Sequence, residues 1–413
     1  MSLQIKNALI RGFFLRKTIE TIRCWNKTAF MEVERLIGKT ARFFFALNTP
    51  VDKKQIMFIT FQGDYTCNPK YITEALLSEN IDCNIVWSLR HASMLKTSSL
   101  DNRIRCVEVY TPQFYREIMR SKIIVANSVE FLKQPTYLKP SQILIETWHG
   151  SLGIKKFGKE NNSGKSWVRA AKICGKRANY IISNSAFENN VYRTTFWPKT
   201  EILQYGHPRN DVFFYPDKIL AMKEKIYNKY NIPRESHIFL YAPTFRDDKK
   251  FFCYKFDIEK LKHALEEKFG GRWVIGIRFH PTVRKSKDAK SFFSSKNVIN
   301  LTSYPDIQDL LLISDAAMTD YSSWIYDFLL TKRPGFIYAQ DIDKYYNERG
   351  FYFSLYDTPF SVATNNTELI ENIMQFDPVV YQSNVQKFLE EKGCIEDGNA
   401  SLRMAKKIKE LLK

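Results

Sequence analysis

From about residue 56 onward, short apolar runs that end in Gly, Pro, Asn or Ser alternate with polar stretches of helical spacing. Continuous apolar runs are what parallel strands buried on both faces look like, and their alternation with helices is the rhythm of βαβ units. The runs predict strands at 56–61, 84–89, 105–110, 123–127, 143–147, 180–183 and 201–205 in one open sheet. After a polar segment at 217–236 a second series follows at 237–242, 273–279, 298–301, 316–319 and 335–338. Two doubly wound α/β sheets in tandem are therefore expected. A segment 1–48 would precede a domain over 49–212 and a second over 213–413 that carries a C-terminal helix. In such folds ligands bind in the crevice beyond the carboxyl ends of the strands.

The first 48 residues have a different pattern. Leu3, Ile5, Leu9, Ile10, Phe13, Phe14 and Ile19 are interspersed with Lys6, Arg11, Arg16, Lys17 and Arg23. Two readings stand: a basic amphipathic helix in a lipid interface, or a helix packed on its own domain. Across residues 1–50 there are nine Lys or Arg against three Glu and no Asp, which favours an anionic membrane surface. The apolar run at 43–47 is too short to cross a bilayer, and no cleavable signal pattern is present.

Length and charge sharpen the picture. A chain of 413 residues is long enough for two cores, and its formal net charge of +18 calls for an anionic partner. Seven cysteines without a Cys-x-x-Cys pair imply neither a zinc site nor a disulfide framework. Phosphate-loop, dinucleotide, nucleophile-elbow and zinc-protease motifs are missing, so no metal or cofactor is expected. The basic residues are not interleaved with aromatics in the manner of a nucleic-acid surface, and no nucleic-acid partner is expected.

Three histidines share one setting. His149, His207 and His280 each follow a predicted strand and precede Gly or Pro, where open α/β sheets present functional groups. A second constellation is Thr319-Asp320-Tyr321-Ser322-Ser323, which places hydroxyls at the start of a helix, more than a simple cap requires. Arg209 and Arg246 follow strands and would point into the same crevice, where guanidinium suits phosphate recognition. Eight Lys or Arg lie between Lys155 and Arg177 against one Glu; a solvated helix face is the ordinary explanation for such a run.

Taken together, the motifs resemble the CDP-glycerol glycerophosphotransferase family, the polyol-phosphate primases and polymerases of teichoic acid and related capsule synthesis. The landmarks run in family order: Ile59-Thr60-Phe61-Gln62-Gly63 with Cys67-Asn68-Pro69-Lys70, Glu146-Thr147-Trp148-His149-Gly150, Gly206-His207-Pro208-Arg209-Asn210-Asp211, Tyr241-Ala242-Pro243-Thr244-Phe245-Arg246-Asp247, Arg278-Phe279-His280-Pro281, Thr319-Asp320-Tyr321-Ser322-Ser323, and Tyr346 with Arg349-Gly350-Phe351-Tyr352. The resemblance implies a GT-B-like fold of two Rossmann-like domains, an N-terminal acceptor domain and a C-terminal CDP-polyol-binding domain. It also implies transfer of polyol phosphate from CDP-glycerol or CDP-ribitol to a lipid-linked saccharide or polyol-phosphate acceptor, with release of CMP, at the cytoplasmic face of the membrane. On that pattern His149 is the general base and His280 holds the pyrophosphate. Arg209, Arg246, Arg278, Thr319, Asp320, Ser322 and Ser323 serve the donor, Asp320 by orienting either a donor hydroxyl or a histidine. Lys155 and Lys156 belong to the acceptor or membrane side together with Arg11, Arg16 and Lys17. A GT-B glycosyltransferase using a nucleotide sugar is the rival reading, and a basic nucleic-acid-binding protein a distant one. Two departures stand out: Ser151-Leu152-Gly153-Ile154-Lys155 where the family commonly has Thr-Pro-Leu-Lys, and His at 207 where an aromatic or apolar residue is usual.

Overall fold

The computed structural model describes residues 48–61, 63–90, 100–133, 138–153, 155–156, 165–244, 246, 254–280 and 292–413. The candidate lipid-facing helix and its Arg11, Arg16 and Lys17 lie outside the described residues.

Seven parallel strands build the first sheet: β1 (Asp52–Ile59), β2 (Asn84–Leu89), β3 (Ile104–Glu108), β4 (Ser121–Ala126), β5 (Ile143–Glu146), β6 (Tyr180–Ser183) and β7 (Glu201–Gln204). Their order is β3-β2-β1-β4-β5-β6-β7. Six more form the second sheet: β8 (Ser236–Tyr241), β9 (Arg272–Ile277), β10 (Val298–Asn300), β11 (Ala316–Thr319), β12 (Gly335–Tyr338) and β13 (Ser361–Ala363), in the order β10-β9-β8-β11-β12-β13. Every expected strand is present, shifted at its ends by up to a few residues. Only β13 escaped the pattern; Ser-Val-Ala at a sheet edge is too short to register as an apolar run.

Why the strands are uniformly apolar is visible in the core. Met57, Ile59, Val86, Ile124, Ala126, Leu144 and Ile181 fill one face of the first sheet, whereas Ile56, Phe58, Ile85, Trp87, Ile123, Val125, Ile145 and Ile182 fill the other. Alternate residues thus enter separate cores, and both faces exclude water. The helix Ala400–Leu411 contributes Met404, Ala405 and Ile408 to the second of these clusters, so the last helix of the chain packs on the first sheet and not on the second. Its amphipathic pattern shows an apolar stripe without naming the sheet that covers it.

In each sheet the strand order reverses once, between β1 and β4 and between β8 and β11. Such switch points open a crevice at the strands' carboxyl ends. Phe61 and Asn127 follow β1 and β4 in the first domain. Thr244, Arg246 and the Asp320–Ser323 run follow β8 and β11 in the second.

Candidate active site

Beyond β5 the chain makes a turn through Trp148, which has a left-handed φ of 51°. A bulky residue there is strained, and neighbouring contacts must hold it. The buried Glu146 carboxylic group does so by accepting the Trp148 N–H at 2.9 Å. Asn68 adds a second tie, its side-chain amide donating to the Thr147 carbonyl at 2.9 Å. At Gly150 a Cβ would come within 3.1 Å of Trp148 Nε1 and 3.6 Å of Ser323 Oγ. The absent side chain leaves room for the Trp148 indole within the turn, and the turn itself stands within van der Waals reach of the Ser323 hydroxyl across the cleft.

His149 is delivered by this turn. Its ring stacks between Phe61 (centroids 5.4 Å apart) and Trp148 (4.8 Å), while its surface stays open to the cleft. Nδ1 lies 2.6 Å from the Asn127 carbonyl, an acceptor only, so Nδ1 carries the proton and Nε2 keeps its lone pair. Surrounding protein pushes its pKa down, toward about 4, with Arg209 and Lys155 adding to the effect and the Asn127 hydrogen bond opposing it. Water at the open face tempers the size of that shift but not its direction. At neutral pH the ring is a free base.

Across the cleft, Ser322 and Ser323 are half-buried, and their hydroxyls make no hydrogen bond to a described residue. Thr319 differs: its hydroxyl donates to the Ala242 carbonyl at 2.9 Å. Asp320 is fully buried and accepts the backbone N–H groups of Thr244 (2.8 Å) and Tyr321 (2.5 Å), with Arg246 Nη1 at 2.8 Å from its other oxygen. It therefore orients backbone and an arginine, not a histidine. Arg246 also forms a bidentate pair with Asp341 (2.8 and 3.0 Å) and lies over the rings of Tyr321 and Tyr345 at 4.8 and 4.9 Å. This arginine is the hub of the second domain's switch point.

The two remaining arginines hold protein groups as well. Arg209 is buried and grips Asp327 with Nε and Nη2 at 2.9 and 3.2 Å, joining the domains behind the cleft. Strand-end position pointed it to the crevice; burial beside an Asp in the next domain turns it away. Arg278 donates to the carbonyls of Tyr304 and Pro305 at 3.3 and 3.1 Å and lies within the field of Asp64 from the first domain. His280, two positions on, is half-buried, and burial together with the Arg278 charge lowers its pKa.

The segment that departs from the family pattern stitches the domains together. Ser151 accepts a hydrogen bond from Asn184 at 2.8 Å, and Leu152 is buried within the second domain's core cluster. Lys155 pairs with Phe351 in an antiparallel bridge, and the Lys156 N–H donates to the Gly350 carbonyl at 3.0 Å. Both lysines thus stand against the second domain.

Sequence reasoning assigned no role to Phe61, Asn68, Glu146, Asn127 or Asp327. Phe61, Asn68 and Glu146 lay within the family landmarks; their part in holding the turn depends on distances across the fold.

Two all-parallel sheets whose switch points meet at an imidazole and a pair of serine hydroxyls define a two-domain transferase of GT-B type. The chain belongs to the CDP-Glycerol:Poly(glycerophosphate) glycerophosphotransferase family, which matches residues 41–410. It is 30% identical over 398 residues to the teichoic acid glycerol-phosphate transferase of Staphylococcus aureus (strain NCTC 8325), covering 91% of this chain and 98% of that protein. It is 29% identical over 372 residues to the teichoic acid poly(glycerol phosphate) polymerase of Staphylococcus epidermidis, of which it spans half the length. The structure of the wall teichoic acid polymerase TagF superposes with a TM-score of 0.78 at 26% identity, over 93% of this chain and 97% of that one. A variant of TagF has been soaked with CDPG.

Proposed function

We propose that this chain transfers glycerol phosphate from CDP-glycerol to a hydroxyl of a membrane-linked acceptor in teichoic acid synthesis, releasing CMP. The observation that carries the reading is the His149 tautomer, with Nδ1–H held by Asn127 and a basic Nε2 on the open cleft, closed against Ser323. The acceptor oxygen bonds to the polyol-side phosphorus while Nε2 takes its proton. The bond from that phosphorus to the bridging oxygen breaks, and its electron pair leaves on the CMP phosphate. Ser322 and Ser323 donate to phosphate oxygens, and His280 steadies the departing nucleotide. Positioning and charge stabilisation are sufficient for phosphoryl transfer without a nucleophilic side chain.

The site of action is the cytoplasmic face of an anionic membrane. No helix among the described residues is long and apolar enough to cross a bilayer. The helix Lys165–Arg177 presents Lys165, Arg169, Lys172 and Lys176 around Val168 and Ile173, which line a shallow groove of about 400 Å³. Cations flanking an apolar strip suit a lipid headgroup layer.

The test is incubation with CDP-glycerol, CDP-ribitol or a UDP-sugar and a lipid-linked acceptor. CMP release with CDP-glycerol supports the proposal; consumption of the UDP-sugar without CMP release overturns it. His280→Ala should weaken both donor binding and turnover. Lys165→Glu with Lys172→Glu should reduce flotation with anionic vesicles and leave neutral ones unaffected.

A further inference from the structure

Lys155 reaches farther than its place in the chain suggests. It follows the His149 turn in sequence, but the Lys155–Phe351 bridge and the Lys156–Gly350 hydrogen bond fix its backbone on the second domain. From there Nζ lies 3.5 Å from Thr244 Oγ1 and 6.0 Å from the Tyr345 ring centre. The charged groups that act on it are Asp320, Arg246 and Arg349. Asp320 is held by Arg246 and two backbone N–H groups, and Asp341 by Arg246 and the Tyr321 hydroxyl. Among the described residues no carboxylate stands within ion-pairing distance of the Lys155 ammonium. A half-buried ammonium beside two guanidinium charges, with its nearest carboxylate already held by Arg246, gains from an anion that joins it. Burial and those two arginines lower its pKa to about 8, with Asp320 opposing.

We propose that Lys155 is a ligand of the donor diphosphate, and that its ammonium takes the charge that develops on the departing CMP phosphate. This assignment rests on the CDP-glycerol reading above. One short segment then supplies both ends of the displacement: His149 receives the acceptor proton, and Lys155, carried across the cleft by the bridge to Phe351, meets the leaving group. Burial of Leu152 in the second domain's core holds the spacing between them.

The full chain, with CDP-glycerol and a lipid-linked acceptor, tests the assignment through Lys155→Met and Lys155→Arg. Lys155→Met should lower kcat/KM by ~100-fold or more, the scale of losing one preorganised charge-stabilising donor. It should weaken CDP-glycerol binding and leave cytidine binding and Tm unchanged. Lys155→Arg should recover part of the rate and move the alkaline limb of kcat/KM, which reads the free enzyme, upward from near pH 8, because the guanidinium does not titrate there. A Lys155→Met variant with kcat/KM within a few-fold of wild type overturns the proposal, as does one that loses cytidine binding and Tm in proportion to rate. Should that variant fail to fold, an unshifted alkaline limb in Lys155→Arg overturns it alone. Absence of CMP release by the wild type would instead refute the underlying donor reading.

Discussion

His149 and His207 occupy matching places in sequence, each just after a strand of the same sheet and just before Gly or Pro, yet their surroundings are opposite. His149 keeps an open face on the cleft, with one nitrogen fixed by a carbonyl and the other without a partner among the described residues. His207 is fully buried, with Nε2 at 3.0–3.1 Å from both Glu188 oxygens and Nδ1 at 3.3 Å from the Asn68 amide. Strand position explains the difference. β5 lies beside β4 at the switch point, so its turn empties into the crevice, whereas β7 is the sheet edge and its turn runs into the interdomain seam. In the seam Glu396 accepts the His207 N–H and the Asn210 amide, and Asn210 also binds Asp327. One imidazole is left free to exchange a proton; the other is a joint.

The largest expected effect tests the catalytic side of this contrast. His149→Ala should lower CMP release by ~10²–10⁴-fold, the range for losing a general base, with CDP-glycerol binding and Tm nearly intact. Unchanged turnover would remove the base assignment. On the joint side, Asp327→Ala should cost about 3–5 kcal/mol, because it strands the buried Arg209 guanidinium. Urea unfolding measures that loss, and a value below 1 kcal/mol would mean that the pair is open to water. His207→Ala is a smaller perturbation, about 1–3 kcal/mol for removing one buried partner from Glu188 and one from Asn68. Its folded fraction should retain transfer activity; a loss as deep as that of His149→Ala would erase the distinction between the two turns.

What the sequence could and could not disclose follows the same line. Strands were legible because burial on both faces forces uninterrupted apolar runs, and Trp148-His149-Gly150 was legible because turns after strands are where such folds place chemistry. Polar partnerships were not. Arg209 and Arg246 look alike as arginines after strands, but the Asp residues that hold them, Asp327 and Asp320 with Asp341, lie far along the chain. Lys155 looked acceptor-sided because it follows His149, and its bridge to Phe351 is a contact between domains that no local pattern records. The last helix followed the second domain in sequence and crossed back to the first in space.

The subtlest prediction concerns what holds the His149 turn in place. Burial raises the Glu146 pKa from 4.5 to about 8, against the opposing Trp148 and Cys174 hydrogen bonds, so the side chain is largely protonated at neutral pH. Glu146→Gln keeps the oxygen that accepts the Trp148 N–H and places an amide toward Cys174 Sγ, now 3.5 Å from the second carboxyl oxygen. Activity at pH 7 should therefore change by less than the ~2-fold that about 0.4 kcal/mol represents. The pH dependence of stability carries the sharper signal. A carboxyl whose folded-state pKa is raised stabilises the fold fully below its unfolded value, and that contribution is lost as pH rises toward the folded value. Wild-type stability should thus decline between about pH 4.5 and 8, with Glu396, raised to about 7, contributing its own share. Glu146→Gln removes only the first share, so its Tm relative to wild type should rise steadily from about pH 5 to about pH 8. Parallel curves for the two proteins would show that Glu146 is ionised in the folded state and that the turn is held by a charge instead of a neutral acceptor.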